Sequence, residues 1–155
     1  MLSDMARYFV EPGLRLAVQV PEPDADRVLD ALVAVDPLVW GDYDQVSFAT
    51  ALGTQTFRSL PGGRNSMTPT RVIVPCVELS VVLPVDPTIM DRAVRAVYRA
   101  HPYEEPVIVL TEVQRTRHVS GVDEDNPNRF WNRPDAPWVP KAHRSGSSSP
   151  QRPDP

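Results

Sequence analysis

The chain has 155 residues, 41% of them hydrophobic, and a formal net charge of -4. This length predicts one domain with a tail. An acidic chain without a basic run argues against a nucleic-acid partner, because nucleic-acid binders need clustered Lys and Arg. The lone Cys76 cannot form an internal disulfide, and no apolar run reaches the roughly 18 residues of a membrane helix. With no signal peptide evident at the N-terminus, a cytoplasmic protein without a membrane partner is predicted.

The first half of the chain predicts a strand, a helix and two further extended segments. Residues 14–20 (LRLAVQV) alternate apolar and polar side chains, which is typical of a half-buried strand that Pro21 then ends. Residues 24–35 place their apolar side chains on one helical face. A second strand is predicted over residues 43–51, and a shorter extended piece over 54–60.

The second half repeats this order. Residues 71–83 alternate again and predict a strand. A helix begins at Asp86-Pro87, where Asp can cap it and Pro fits the first position. It ends at His101-Pro102, because a residue before Pro is disfavoured in the helical region. Residues 106–113 (PVIVLTEV) predict the last strand.

The order of elements therefore predicts an α+β fold of the ferredoxin-like βαββαβ type, an antiparallel sheet with two helices on one face. The segments LRLAVQVP…DRVLDALV and VELSVVLP…DRAVRAVY resemble each other, which favours a repeated strand-helix unit. The predicted domain covers residues 14–113, between an N-terminal extension (1–13) and a Pro- and Ser-rich tail (114–155).

The other face of this sheet is predicted to meet solvent or partner subunits. It carries Arg15, Gln19, Glu78, Ser80 and Val82.

The tail contains Phe130, Trp131 and Trp138, which are unusual in a disordered segment. We expect residues 126–140 to lie extended along the sheet or a neighbouring subunit; a floppy tail is the alternative. Residues 141–155 are rich in Ser, Pro and Gly, which is typical of disorder.

Three motifs resemble a known family: GDYDQVSF (41–48), GTQTF (53–57) and AHPYEEP (100–106). Together they are similar to the inserted domain of the Nif-three-like (YqfO-type) proteins and to the short stand-alone proteins built from it. The resemblance covers about residues 14–113. It implies a CutA-like and PII-like fold and a homotrimer in which sheets pack toward a three-fold axis.

The sequence also departs from the family pattern. Gln45 and Val46 stand where the family often has His and Cys, Gln55 replaces a Gly of the hairpin, and Ser80 replaces an acidic residue. These replacements weaken a metal site implied by the resemblance. The lobes that form the dinuclear metal centre of full-length relatives lie outside this sequence, so their hydrolase activity is not expected here.

The AHPYEEP motif offers the main candidate site. In one interpretation it is structural: it ends the helix and leads into the last strand, with Tyr103 packing beside it. In the other, His101, Glu104 and Glu105 bind a divalent metal such as Zn or Cu, or a small ligand. Because adjacent residues of a strand face opposite sides, only one of the two carboxylates is expected to join the imidazole. One imidazole and one carboxylate are too few for a closed metal site, so a neighbouring subunit would complete it.

Other candidates have simpler interpretations. Asp42, Tyr43 and Asp44 either join the same site or shape the turn before the second strand. The loop 61–66 (PGGRNS) either cradles an anion or is a flexible surface loop, and it lacks the Lys-Ser/Thr of a phosphate-binding loop. Cys76 is predicted to be a small buried residue.

These observations predict a non-enzymatic, trimeric module that binds a ligand or protein and acts in regulation or as a scaffold. No catalytic residues and no certain cofactor are assigned. The alternative is a CutA-like protein that binds divalent metal and contributes to metal tolerance; an enzyme with a cleft between subunits is a third class.

Overall fold

The computed structural model describes residues 6–144. The chain divides into two compact units. One runs from Tyr8 to His118 and contains the sheet and both α-helices. The other is formed by the residues on either side of it, described here over 6–7 and 119–144.

The first unit has the predicted α+β ferredoxin-like fold, with five strands and two α-helices. In chain order these are β1 (Tyr8–Val20), α1 (Ala25–Val33), β2 (Phe48–Ala49), β3 (Gly53–Phe57), β4 (Val72–Leu83), α2 (Pro87–Ala100) and β5 (Ile108–His118). The central strands β1 and β4 are antiparallel, with β5 beside β1 and both β2 and β3 beside β4. This antiparallel arrangement confirms the fold class predicted from the order of elements.

The predicted strand over residues 43–51 is wrong in extent. Only Phe48 and Ala49 pair with β4, opposite Ser80 and Leu79, and pairing resumes with Gly53 opposite Cys76. The register shifts by one residue between the two segments, as at a β-bulge. The two segments predicted separately are thus successive parts of one interrupted edge of the sheet.

The strands β1 and β5 extend further than the sequence predicted. β1 begins at Tyr8 rather than residue 14, and β5 continues to His118 rather than ending at 113. Residues 8–13 of β1 pair with β5 alone. One side of this stretch therefore has no partner strand, which is where Pro12, without an N–H, is tolerated.

The core lies between the helices and one face of the two central strands. Alternate residues of β1 and β4 point into it, as their period of two predicted. The buried cluster comprises Leu14, Leu16, Val18 and Val20 from β1; Val77, Leu79, Val81 and Leu83 from β4; Val28, Leu32, Ala93 and Val97 from the helices; and Leu38.

The face opposite the helices is uncovered within this unit and is called the outer face here. It carries the predicted residues Arg15, Gln19, Glu78, Ser80 and Val82, of which Arg15 is exposed and the others are half-buried. Large apolar side chains lie beside them: Val109 of β5 is 54% exposed and Phe48 of β2 is 68% exposed. An apolar strip of this kind is typical of a sheet face that meets another surface.

The second unit is held together by its own aromatic and charged groups. Phe130 makes edge-to-face contacts with Trp131 and Trp138, at ring-centroid distances of 5.1 and 6.2 Å. The Trp131 indole N–H donates to the carbonyl of Glu124, and Asp123 forms ion pairs with Arg7 and Arg129. The predicted docking of residues 126–140 stays a prediction, and of the segment predicted to be disordered, residues 145–155 lie outside the described part.

No helix within residues 6–144 is long and apolar enough to cross a membrane.

Candidate functional site

The His-Pro-Tyr-Glu-Glu-Pro segment ends α2 as predicted. His101 has an extended backbone (φ −79°, ψ 138°), while its N–H still donates to Val97 O at 2.8 Å. Pro102 follows and has no N–H to continue the helical pattern. His101 is therefore the residue at which the chain turns from helix to loop.

Both ring nitrogens of His101 are engaged within the chain. Nε2 lies 2.7 Å from the carbonyl oxygen of Gln19, and the N–H of Tyr103 donates to Nδ1 at 3.0 Å. Because Nδ1 accepts, Nε2 carries the proton and donates to Gln19 O. The imidazole is buried, with 7% of the residue exposed.

The backbone of Gln19 holds both ends of the loop 101–107. Its carbonyl accepts from His101, and its N–H donates to Val107 O at 3.1 Å. Gln19 is next to last in β1, so the loop is fixed to the centre of the sheet. The side chain of Gln19 also accepts a hydrogen bond from Gln55 of β3 at 2.8 Å.

The three residues predicted to bind metal differ in accessibility. Glu104 and Glu105 are exposed, whereas the two hydrogen bonds of His101 would have to break before it could ligate a metal. Within residues 6–144, no group of three or more His, Cys, Asp or Glu side chains is arranged to hold a metal ion. Metal binding by His101, Glu104 and Glu105 therefore stays a prediction.

A cavity of about 710 Å³ lies beside this loop and is called the loop cavity here. Gln55, Phe57 and Val74 from the sheet line it, together with parts of the segments 58–65 and 102–107. Val74 is on the same side of β4 as Glu78, because side chains alternate along a strand. The loop cavity therefore opens on the outer face, beyond the end of β1.

Charged groups of both signs line the loop cavity. Arg58 and Arg64 come from one segment, and Glu104 and Glu105 from the other. The Arg58 guanidinium makes one long hydrogen bond, 3.5 Å, to Pro69 O. Across the part of the chain described, Arg64, Glu104 and Glu105 form no hydrogen bond or ion pair.

Tyr103 lies between the buried imidazole and the loop cavity. Its ring centroid is 4.9 Å from that of His101, with the planes tilted by 55°. Burial raises the pKa of the Tyr103 phenol, and the nearby Cys76 and Asp24 raise it further. Tyr103 thus stays neutral and presents a polar hydroxyl beside an apolar ring.

The remaining predicted candidates are found near their expected positions. Trp40 and Tyr43 exchange backbone hydrogen bonds across a tight turn with Gly41 at φ +63°, so the GDY segment shapes a turn. Cys76 is buried, as predicted. The loop 61–66 is exposed, and the structure brings its Gly63, Arg64 and Asn65 to the loop cavity, which sequence reasoning did not anticipate.

Sequence reasoning also missed Arg115, which lies at the opposite end of the sheet. It is only 7% exposed, and its guanidinium carbon lies 4.1 Å from the centroid of the Trp40 ring. Nη2 donates to Val39 O at 2.8 Å, and Nε is 3.6 Å from a Glu11 carboxylate oxygen. Burial lowers the pKa of Arg115, an effect that Glu11 opposes. No sequence signal pairs residues this far apart.

The structure therefore combines a ferredoxin-like sheet that has one helix-covered face with a His-Pro-Tyr-Glu-Glu-Pro loop between α2 and β5. No protein-family model and no curated protein match the sequence.

The chain resembles several solved structures. A Bacillus cereus protein related to NIF3 is 25% identical, with a TM-score of 0.58 over 73% of this chain and 29% of its own. CutA1 from Shewanella sp. SIB1 is 16% identical, with a TM-score of 0.50 over 65% and 80%. GlnK from B. subtilis is 7% identical, with a TM-score of 0.44 over 66% and 86%.

The first match confirms the predicted resemblance to NIF3-related proteins, and the second confirms the fold shared with CutA. The chain spans only about three tenths of the NIF3-related protein's length.

Proposed function

We propose that this chain is a non-enzymatic regulatory module that assembles as a cytoplasmic homotrimer and binds a small ligand in the loop cavity. The observation that carries this proposal is the cavity itself. It lies beside a loop fixed at both ends to Gln19, and three of its charged side chains, Arg64, Glu104 and Glu105, have no partner among residues 6–144. Concave sites with an apolar floor and a few convergent polar groups are typical of ligand binding.

The outer face supports the proposed trimer. Val109 and Phe48 expose large apolar side chains there, beside small Ala17 and half-buried Val82. Burial of such a strip against other copies of the chain would remove apolar surface from water, at roughly 25 cal/mol per Å². In a trimer built this way the loop cavity would lie close to a subunit boundary, because it opens on the same face.

The size of the assembly is tested by light scattering on the full chain. We expect a mass near three times the 17.3 kDa of one chain. Val109→Glu would place a carboxylate in the proposed interface and should give monomers. Tyr98→Glu is the matched control, because Tyr98 is equally exposed at 53% but lies on a helix. A monomeric wild type would refute the trimer.

Ligand binding is tested by NMR with defined probes: nucleotides, amino acids, sugar phosphates and zinc or copper salts. We expect one class to shift the backbone amides of residues 55–65 and 102–107. Val74→Trp should abolish this response by filling the cavity. Ile73→Trp is the control, since Ile73 is adjacent on β4 but points to the other side and is 66% exposed. No shift with any probe would refute a ligand site here.

The alternative, a divalent-metal-binding protein, rests on the predicted set His101, Glu104 and Glu105. The two arginines of the loop cavity disfavour it, because they repel a cation at the glutamates. Calorimetric titration with zinc and copper separates the two functions. Metal binding that is lost in His101→Ala and retained in Arg92→Ala would support the alternative.

A further inference from the structure

We infer that the ligand of the loop cavity is a small zwitterion with an apolar body, the chemistry of a free amino acid or a short peptide. This inference rests on the proposed function and specifies the ligand class of the same site. It starts from the charge balance of the lining, which contains two arginines, Arg58 and Arg64, and two glutamates, Glu104 and Glu105, and no other formally charged residue.

The balance of charge argues against ligands that carry a single strong charge. A polyphosphate would be attracted by the arginines and repelled by the glutamates. A divalent cation would be attracted by the glutamates and repelled by the arginines. A ligand that carries both an anion and a cation is attracted at each end. Carboxylates match the fork of an arginine, and ammonium groups match the oxygens of a glutamate.

The separation of the charges carries the inference further. Although four charged side chains line one cavity, neither arginine forms an ion pair with either glutamate in the described structure. The arginines belong to the segment 58–65 and the glutamates to the segment 102–107. A ligand that carries both an ammonium and a carboxylate group, on one carbon in an amino acid and at the two ends in a dipeptide, would pair with both signs.

The lining of the loop cavity also has an apolar part. Val74, Phe57 and Val107 lie there, with Phe57 42% and Val107 40% exposed. An apolar side chain of the ligand would cover this surface. The cavity volume of about 710 Å³ lies within the range of roughly 300–1,000 Å³ that is typical of small-molecule sites. Gln55 adds an amide to the wall, fixed by its hydrogen bond to Gln19.

The experiment compares charge variants of the ligand with charge variants of the protein. Calorimetry on the full chain first identifies the tightest binder among the proteinogenic amino acids and their dipeptides. Its N-acetyl derivative lacks the cation, and its methyl ester lacks the anion. Each derivative should bind at least about tenfold more weakly, because each loses one charge-assisted contact.

The protein variants assign each contact. Glu104→Gln or Glu105→Gln should no longer distinguish the zwitterion from its N-acetyl derivative. Arg64→Gln or Arg58→Gln should no longer distinguish it from its ester. The matched controls Glu112→Gln and Arg92→Gln change exposed residues outside the cavity and should keep both preferences.

The outcomes separate this inference from the proposed function. If no amino acid or dipeptide binds but a nucleotide, sugar phosphate or metal changes the NMR shifts of the backbone amides at the cavity, the proposed ligand class is wrong. The proposed ligand-binding function is then retained. If zwitterion, N-acetyl derivative and ester bind equally, the inference is also overturned. If no probe of any class binds, both proposals fall.

Discussion

Replacement of His101 by Ala tests whether the imidazole holds the loop 101–107 in place. The change removes the donor to Gln19 O and the acceptor of the Tyr103 N–H, which lie 2.7 and 3.0 Å from the ring. It also empties a site where the residue is only 7% exposed. The two backbone groups are left without their partners, and a buried polar group without a partner is unfavourable.

The expected loss follows from these contacts. Leaving a buried donor or acceptor unpaired costs about 1–3 kcal/mol. Two such groups, one of them near the solvent-filled loop cavity, give about 2–4 kcal/mol in the free energy of unfolding. At about 4 °C per kcal/mol for a domain of this size, the melting temperature should fall by roughly 8–16 °C. Urea unfolding followed by circular dichroism measures the same loss as a lower midpoint at unchanged slope.

His101→Asn is the matched control, because its amide oxygen can replace Nδ1 as acceptor for the Tyr103 N–H, whereas the shorter side chain brings no donor to Gln19 O. It should lose about half as much as His101→Ala. If both variants melt like the wild type, the imidazole does not hold the loop. If the wild type gains stability with zinc and His101→Ala does not, the ring serves a metal instead.

Three further predictions concern other parts of the first unit. Gly13→Ala should lower stability by about 1–3 kcal/mol in urea unfolding, because the new Cβ would lie 2.9 Å from Val82 Cγ1 and 3.1 Å from Arg115 Cδ; an unchanged midpoint would contradict the tight packing of Arg115. Asp86→Ala should cost about 1 kcal/mol, since the Asp86 carboxylate accepts from the N–H groups of the first turn of α2; Asp86→Asn, which retains an acceptor, should lose less. The raised pKa of Tyr103 means that its contribution to stability is fully present below the unfolded value of 10.0 and is lost as the pH rises through the folded value. Absorbance titration should therefore show a tyrosine that ionises above the ordinary pKa of 10.0, and Tyr103→Phe should remove this signal.

The elements that sequence analysis predicted well are those with long, regular patterns. Alternation in β1 and β4 identified their buried faces, because every second side chain of a strand faces the core. The two helices were predicted from their apolar faces and, for α2, from Asp86-Pro87 at its start. Local pattern decides such elements, so their assignment did not depend on the remainder of the chain.

The second strand was the main failure, and its causes are local. Between Asp36 and Ser47 the backbone folds on itself: Gln45 N–H donates to Pro37 O, and Val46 N–H donates to Leu38 O. Leu38 and Gln45 both have φ of +54°, in the left-handed region that is uncommon for such residues. A pattern of alternating apolar residues gives no indication of these conformations.

The candidate site was predictable only in part. The AHPYEEP motif located one wall of the loop cavity, since its composition is unusual for a helix end. The other wall, with Arg58 and Arg64, comes from a segment that the sequence presents as an ordinary polar loop. Pairing of β3 with β4 places this segment near residues 102–107, and such long-range pairing has no local sequence signal.

Gln19 connects the loop 101–107 with Gln55 of β3, although these residues are far apart in sequence. Its backbone fixes both ends of the loop 101–107, and its side chain holds Gln55 on the wall of the cavity. The strand that carries Gln19 is buried in the centre of the sheet, where local opening is costly. Hydrogen bonds to Gln19 therefore anchor the walls of the loop cavity to a rigid strand, although the charged side chains of these walls are exposed. A site of this kind can preorganise its backbone and still adapt its charged side chains to a ligand, which is the combination that selective binding of a small molecule requires.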